Sequence, residues 1–302
     1  MKILLNRKVV NGPWGGGNLF VKSFVDEMTG LGHKIVHSFE EDIDVIFVQD
    51  PRYDELGISI NEVVGYKQNY RPQTKIIQRI NECDARKGTN DVDQLLRECS
   101  KYIDHTVFVS NWMKDYHISR GWNCNSNSVL INGVDDFYTP RPKLNNEKIN
   151  IVTHHWSNNY LKGFDVYDLI DDEVGKSDDI TFTYIGRERG TFKNTKVIAP
   201  LYGEDLAKEL GRYDVYVSAS KFDPGPNHIL EAIACQIPTY THADGGGAVE
   251  FAGEDHTYTT WDDLIKIIRS GNLTSNTCKT RSWKQCIFDL NTTINEIALL
   301  KR

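Results

Sequence analysis

The sequence lacks any excess of positive charge: its 302 residues carry 35 basic against 42 acidic side chains. Nucleic-acid binding rests on Lys and Arg neutralising phosphates, so this balance argues against it. No run approaches the ~18 apolar residues needed to span a bilayer, and the opening MKILLNRKVV has too short an apolar core for a secretory signal. These absences lead to the expectation of a cytoplasmic protein without a transmembrane segment. CxxC pairs are also missing. Cys83, Cys99, Cys124, Cys235, Cys278 and Cys286 are scattered, which suits reduced thiols better than a disulfide framework or a zinc cage, so no metal site is expected. Neither half supplies a GxGxxG with an acid about 20 residues on, so a dinucleotide-dependent dehydrogenase is disfavoured. No internal repeat or low-complexity tract is visible.

What the chain does have is alternation. Short β-branched runs (KILLN, KIVHSF, DVIFVQD, KIIQRIN, TVFVS) take turns with amphipathic stretches such as NLFVKSFVDEMTGLG and DVDQLLRECSKYI, the mark of parallel strands joined by crossover helices. After VLINGV comes DDFYTPRPKLNNEK, polar, with two prolines and no periodicity, which suits a linker. The βα pattern then restarts with NIVTHHW. We therefore expect an α/β protein of two doubly wound, Rossmann-like lobes, residues 1–138 and 148–302, with a cleft between them. In such sheets ligands gather at the carboxyl ends of the strands.

One stretch there carries the chemistry: FDPGPNHILEAIACQIPTY, from Phe222 to Tyr240. VYVSAS reads as a buried strand ending near Ser220, and the Pro/Gly run leads into a helix starting around Asn227. Asp223 then sits at the strand's carboxyl end and Glu231 about one turn into a small, apolar helix. The backbone of Gly225, Pro226, Asn227 and His228 would face phosphate oxygens at a positive helix end. A carboxylate one turn deeper suits a vicinal diol such as a ribose, since each oxygen can accept one hydroxyl proton. Asp223, nearer the mouth, suits the hydroxyls of a transferred sugar.

This pattern resembles the E-x7-E signature of the retaining GT-B glycosyltransferases of family 4. Asp223 stands where the family has its first Glu, Glu231 matches the second, and Gln236 replaces the usual Gly. The resemblance extends along nearly the whole chain. NGPWGGG resembles the family's Gly-Gly loop facing the donor diphosphate, implicating Gly16 and Gly17. Lys162 before Gly163 resembles the Lys of R-x4-K-G, a point charge on the leaving diphosphate, while Ser157 holds the place of the family Arg. A second cation is then needed; Arg187, after a strand end, ranks first, ahead of Arg189, His154 and His155. SNWMKDY, INGVDDFYTP and HADGGGAVEFAG, with Glu250 in an acid position, resemble further family landmarks. The resemblance implies transfer of a sugar from a nucleotide sugar, such as a UDP- or GDP-sugar, to an acceptor hydroxyl with retention of configuration, with no other cofactor. Acceptor contacts are expected from Arg79 and Asn81, beyond a strand of the first lobe. The acceptor is a glycan, a lipid-linked molecule or a small molecule. Lys67, Arg71, Lys75 and Arg79 form a run with no acid among them, suited to an anionic acceptor or peripheral membrane contact. The terminal helix is expected to pack across the lobes, as in the family. Rival readings are a nucleotide-sugar epimerase or hydrolase, which would turn over donor without acceptor, and a two-lobed sugar-binding protein without catalysis, which would need a signal peptide. A glycosidase would need two carboxylates ~5 to 9 Å apart across the scissile bond.

Overall fold

The computed structural model describes residues 1–12, 15–124 and 126–300. The chain forms two compact units. One comprises Met1–Asn132 together with the segment from Trp283 onward, the other Gly133–Ser282.

The first unit runs β1 (Lys2–Leu5), α1 (Gly15–Gly30), β2 (Lys34–Val36), β3 (Val45–Val48), α2 (Ile60–Asn69), β4 (Lys75–Ile80), α3 (Asp84–Lys87), α4 (Val92–Cys99), β5 (His105–Phe108), α5 (Asn111–Ile118) and β6 (Asn127–Val129). Its sheet has the order β2-β1-β3-β4-β5-β6, with every pairing parallel. VIFV and KIIQRI are buried at every position, as strands must be when helices cover both faces of a sheet. On one face α1 lays Phe20, Val21, Phe24 and Met28 against Phe47 and Ile77, with the Phe24 and Phe47 ring centroids 4.8 Å apart. The helix that closes the chain belongs to this unit: it places Trp283, Ile287, Leu290, Ile294 and Ile297, at three- and four-residue spacing, in the same cluster.

The second unit runs β7 (Ile149–His155), α6 (Phe164–Val174), β8 (Ile180–Gly186), β9 (Lys196–Ile198), α7 (Gly203–Leu210), β10 (Val215–Ser218), α8 (Asn227–Ala234), β11 (Thr239–His242), α9 (Gly247–Ala252), β12 (Thr257–Tyr258) and α10 (Trp261–Arg269); the helix that follows, α11 (Trp283–Leu299), is the one that belongs to the first unit. Its sheet, also parallel throughout, has the order β12-β11-β10-β7-β8-β9. The core joins Phe164, Tyr167 and Ile170 of α6 to Phe182 and Tyr184 of β8 and to Trp261, Leu264 and Ile268 of α10. The expected pair of doubly wound parallel sheets is therefore present.

Strand order locates the places where ligands can enter. It reverses direction between β1 and β3 in the first unit and between β7 and β10 in the second. Connections leave such neighbours toward opposite faces and open a crevice at their carboxyl ends.

Candidate functional site

At the second unit's reversal point, β10 delivers the chain into the turn before α8. Phe222 adopts φ +53°, a left-handed conformation costing an L-residue about 1–2 kcal/mol. The neighbouring glycine loop holds it there. Phe222 N donates to Asp244 O at 2.8 Å, Asp223 N to Gly245 O at 3.1 Å, and Gly247 N to Asp223 O at 2.8 Å. A Cβ on Gly247 would lie 2.4 Å from Pro224 O, so the glycine run of HADGGGAVEF is what lets the two loops interlock. The outcome is a rigid, aimed carboxylate: Asp223 is 8 % exposed.

Its partner arrives from the far side of the reversal point. After β7, Asn159 caps a short turn by accepting from Leu161 N at 2.8 Å, and Lys162 follows. The chain then passes tightly under the end of β10 at Gly163, φ +90°, where a Cβ would lie 2.2 Å from Ala219 O. That close approach brings Lys162 Nζ to 3.0 Å from Asp223 Oδ2, a pair with side-chain exposures of only 14 % and 11 %. Two residues 61 positions apart, both named from sequence, are thus in contact.

Glu231, one turn into α8, is 9 % exposed. His154 Nε2 lies 2.8 Å from its Oε2, and the Tyr138 hydroxyl is near enough to feel the charge of the same carboxylate. Burial first, then the Glu231 charge, pushes the Tyr138 hydroxyl well above the usual tyrosine range. Sequence reasoning misses Tyr138, which lies in the polar, proline-rich segment read as a linker, where nothing local marks it. His154, His155 and His228 are all buried. His155 Nε2 contacts the Tyr167 hydroxyl at 2.6 Å and His228 Nε2 the Ser218 hydroxyl at 2.9 Å. Despite this proximity, no group of three His, Cys, Asp or Glu among the described residues converges to hold a metal ion.

The turn residues stand as the sequence placed them. Gly225 and Asn227 are half-buried, Pro226 and His228 buried, and α8 begins at Asn227 with Pro226 as its cap, which makes no side-chain capping bond. The first-turn N–H groups of a helix carry its positive end. Arg187 directly follows β8, exposed, its guanidinium 3.9 Å from the Trp156 ring centroid. Arg189 stands 5.7 Å from the Tyr160 ring centroid.

At the first unit's reversal point, Gly16 is exposed and Gly17 half-buried in the first turn of α1. A Cβ on Gly17 would lie 3.7 Å from both Gln49 Nε2 and Asn81 Nδ2, so two amide donors gather at the helix's amino end. Asn81, just past β4, is half-buried. Arg79 requires a correction of place: it lies within β4 rather than beyond it, 2 % exposed. Its Nη2 donates to Asn132 Oδ1 at 2.7 Å and its Nη1 to Gln49 Oε1 at 3.3 Å. The guanidinium sits 4.0 Å from the Phe20 ring centroid. Burial pulls its pKa down to about 9, the direction expected of a cation removed from water. The basic run containing Arg79 is likewise absorbed by the fold: Lys67 meets Asp104 at 2.6 Å, Arg71 meets Asp42 and, at 3.1 Å, Asp44, and Lys75 is buried. It does not form the open basic face suggested by sequence. No described helix is long and apolar enough to cross a membrane.

No family model matches the chain, and no curated protein matches its sequence. Solved structures do. The crystal structure of Anabaena HepE in complex with UDP and glucose aligns with a TM-score of 0.74 at 15 % identity, over 98 % of this chain and 100 % of that one. Sucrose-phosphate synthase from Thermosynechococcus elongatus gives 0.70 at 11 %, over 98 % of each chain. The lipopolysaccharide outer core galactosyltransferase WaaB, in its apo form, gives 0.65 at 15 %, over 99 % of each. At these identities the likeness is one of fold, and the fold is GT-B: two Rossmann-like α/β units, each built on a parallel six-stranded sheet.

Proposed function

We propose that this protein is a glycosyltransferase that moves a sugar from a nucleotide sugar to an acceptor hydroxyl, with retention of anomeric configuration. The observation that carries the proposal is the grouping, at the β7/β10 reversal point, of Lys162 against Asp223 and of Glu231 one turn into α8. UDP is the nucleotide we favour, because HepE, of the same fold, was crystallised with UDP and glucose.

Each group has a task. The amino end of α8, at Gly225, Pro226, Asn227 and His228, faces the diphosphate, and Lys162 adds a point charge. Cleavage of the glycosidic bond develops negative charge on the leaving phosphate, so fixed positive groups stabilise what grows in the transition state. Glu231 accepts from the ribose hydroxyls. Asp223 accepts from hydroxyls of the sugar and, until a diphosphate arrives, neutralises Lys162. Arg187 is the second cation, replacing the one missing at Ser157. In the first unit, the amino end of α1 at Gly16 and Gly17 carries the same chemistry for phosphate, and Asn81 is the residue assigned to the acceptor, whether glycan, lipid-linked or small. Arg79, sealed in β4, would act by fixing the Gln49 and Asn132 amides.

A thermal-shift panel of UDP-, GDP- and ADP-sugars tests this reading, because a ligand that binds only the folded state raises apparent stability according to its affinity. A shift is expected with one series, lost in Glu231→Ala and Lys162→Ala. Full transferase activity in both variants would refute it.

A further inference from the structure

We infer that His154 and Tyr138 are positioning residues that aim the Glu231 carboxylate at two vicinal hydroxyls, and so set the protein's preference for a ribonucleotide over a deoxyribonucleotide donor. The inference rests on the assignment of Glu231 to ribose.

The acceptor count supports it. A carboxylate has about four lone-pair sites on its two oxygens. His154 Nε2 occupies one on Oε2, and the buried Tyr138 hydroxyl lies near enough to feel the carboxylate's charge. About three sites remain, enough for the two hydroxyls of a vicinal diol. The direction of the histidine bond is fixed by its other nitrogen. His154 Nδ1 is buried without a hydrogen-bond partner, so a proton there would be a buried, unsatisfied donor. The proton therefore resides on Nε2, where it meets the carboxylate.

Neither ring is free to drift. The Tyr216 hydroxyl bonds both backbone groups of His154, accepting from its N at 3.2 Å and donating to its O at 3.4 Å. The His154 ring packs edgewise on Tyr216, centroids 5.5 Å apart, and on His228 at 6.1 Å. His228 is itself tied to Ser218. Tyr138 is 6 % exposed, and its backbone N donates to Asp135 O at 3.1 Å. Supported rotamers of this kind make the difference between a carboxylate that is present and one that is aimed.

The test is titration calorimetry of UDP, 2′-deoxy-UDP and 3′-deoxy-UDP with the wild type and with His154→Phe, His154→Gln, Tyr138→Phe and Glu231→Gln. Should GDP or ADP bind in place of UDP, the same trio is used in that series; failure of all three to bind the wild type overturns both the functional proposal and this inference. The wild type is expected to favour the ribonucleotide by about 10- to 100-fold, the worth of one hydrogen bond to a charged group. His154→Phe and Tyr138→Phe should each cut that ratio at least fivefold while leaving affinity for the deoxy analogues nearly unchanged. His154→Gln, whose amide nitrogen can stand in for Nε2, should restore most of it. An unchanged ratio in both His154→Phe and Tyr138→Phe, with the ratio lost in Glu231→Gln, overturns the positioning role and leaves the function standing. An equal loss of affinity for all three nucleotides means packing alone, and also overturns it. A ratio that survives Glu231→Gln removes the ribose assignment and this inference with it. If His154→Phe does not fold, the ratio measured in Tyr138→Phe decides between these outcomes by itself.

Discussion

Replacing Gln236 with glycine should stabilise the protein. Helix α8 ends at Ala234, Gln236 N donates to Ile233 O at 2.8 Å, and Ile237 N donates to Ala232 O at 3.2 Å. This is the paired bonding of a Schellman ending, whose central residue must be left-handed, and Gln236 duly has φ +56°. A side chain at that angle costs about 1–2 kcal/mol, which glycine avoids. Glycine in turn loses about 0.5–1 kcal/mol more conformational freedom on folding. The midpoints of the two ranges differ by about 0.75 kcal/mol in favour of glycine, a rise of about 1.5–3 °C in a unit of this size. Because Gln236 is exposed, nothing in the core should change. Denaturant unfolding should show a higher midpoint with an unaltered slope, and nucleotide affinity should stay as it was. A midpoint equal to or below that of the wild type would contradict the strain argument. Gln236→Val, β-branched at the same angle, should move the midpoint the other way.

Lys162→Ala should lower transfer by about 100- to 1,000-fold, the usual cost of removing one group that stabilises developing charge; steady-state kinetics giving less than a fivefold loss would place the diphosphate elsewhere. Gly163→Ala combines left-handed strain with a Cβ 2.2 Å from Ala219 O and should cost about 3 kcal/mol, so a midpoint within error of the wild type would show that the passage under β10 is looser than this contact implies. Acidification has a defined sign. Burial lowers the pKa values of His105, His117 and His242 from 6.5, so the unfolded chain binds protons first as pH falls. Stability is complete above about pH 6.5 and declines below it, whereas the depressed carboxylates Asp50, Asp84 and Asp171 contribute their loss only nearer pH 4. Unfolding midpoints flat from pH 7 to 5 would contradict the histidine burial, and His105→Gln should shallow the slope.

Much of the fold could be read from periodicity alone. VIFV, KIIQRI and VYVS are apolar enough to demand cover on both faces. The positions of Asp223 and Glu231 are legible because a strand followed by a Pro/Gly turn into a helix leaves a local signature, whereas Lys162 is marked only by the family resemblance at Lys162-Gly163. Arg79 was misplaced for a physical reason: a guanidinium inside a buried strand contradicts composition, and only Phe20, Gln49 and Asn132, distant in sequence, make the position tolerable. Tyr138 and the His154–Glu231 bond escaped for the same cause. Hydrogen bonds across 77 positions, as between His154 and Glu231, depend on how strands are ordered, and no spacing rule reports that.

The return of α11 to the first unit bears on how the protein is made. During synthesis the second unit has its entire sequence before Trp283 leaves the ribosome, whereas the first unit waits with Phe20 and its neighbours partly uncovered until the final helix emerges. The earlier-born half is therefore the later to mature. Translation arrest or proteolytic clipping ahead of Trp283 should release a chain whose second unit is finished and whose first is left sticky, a natural substrate for chaperones.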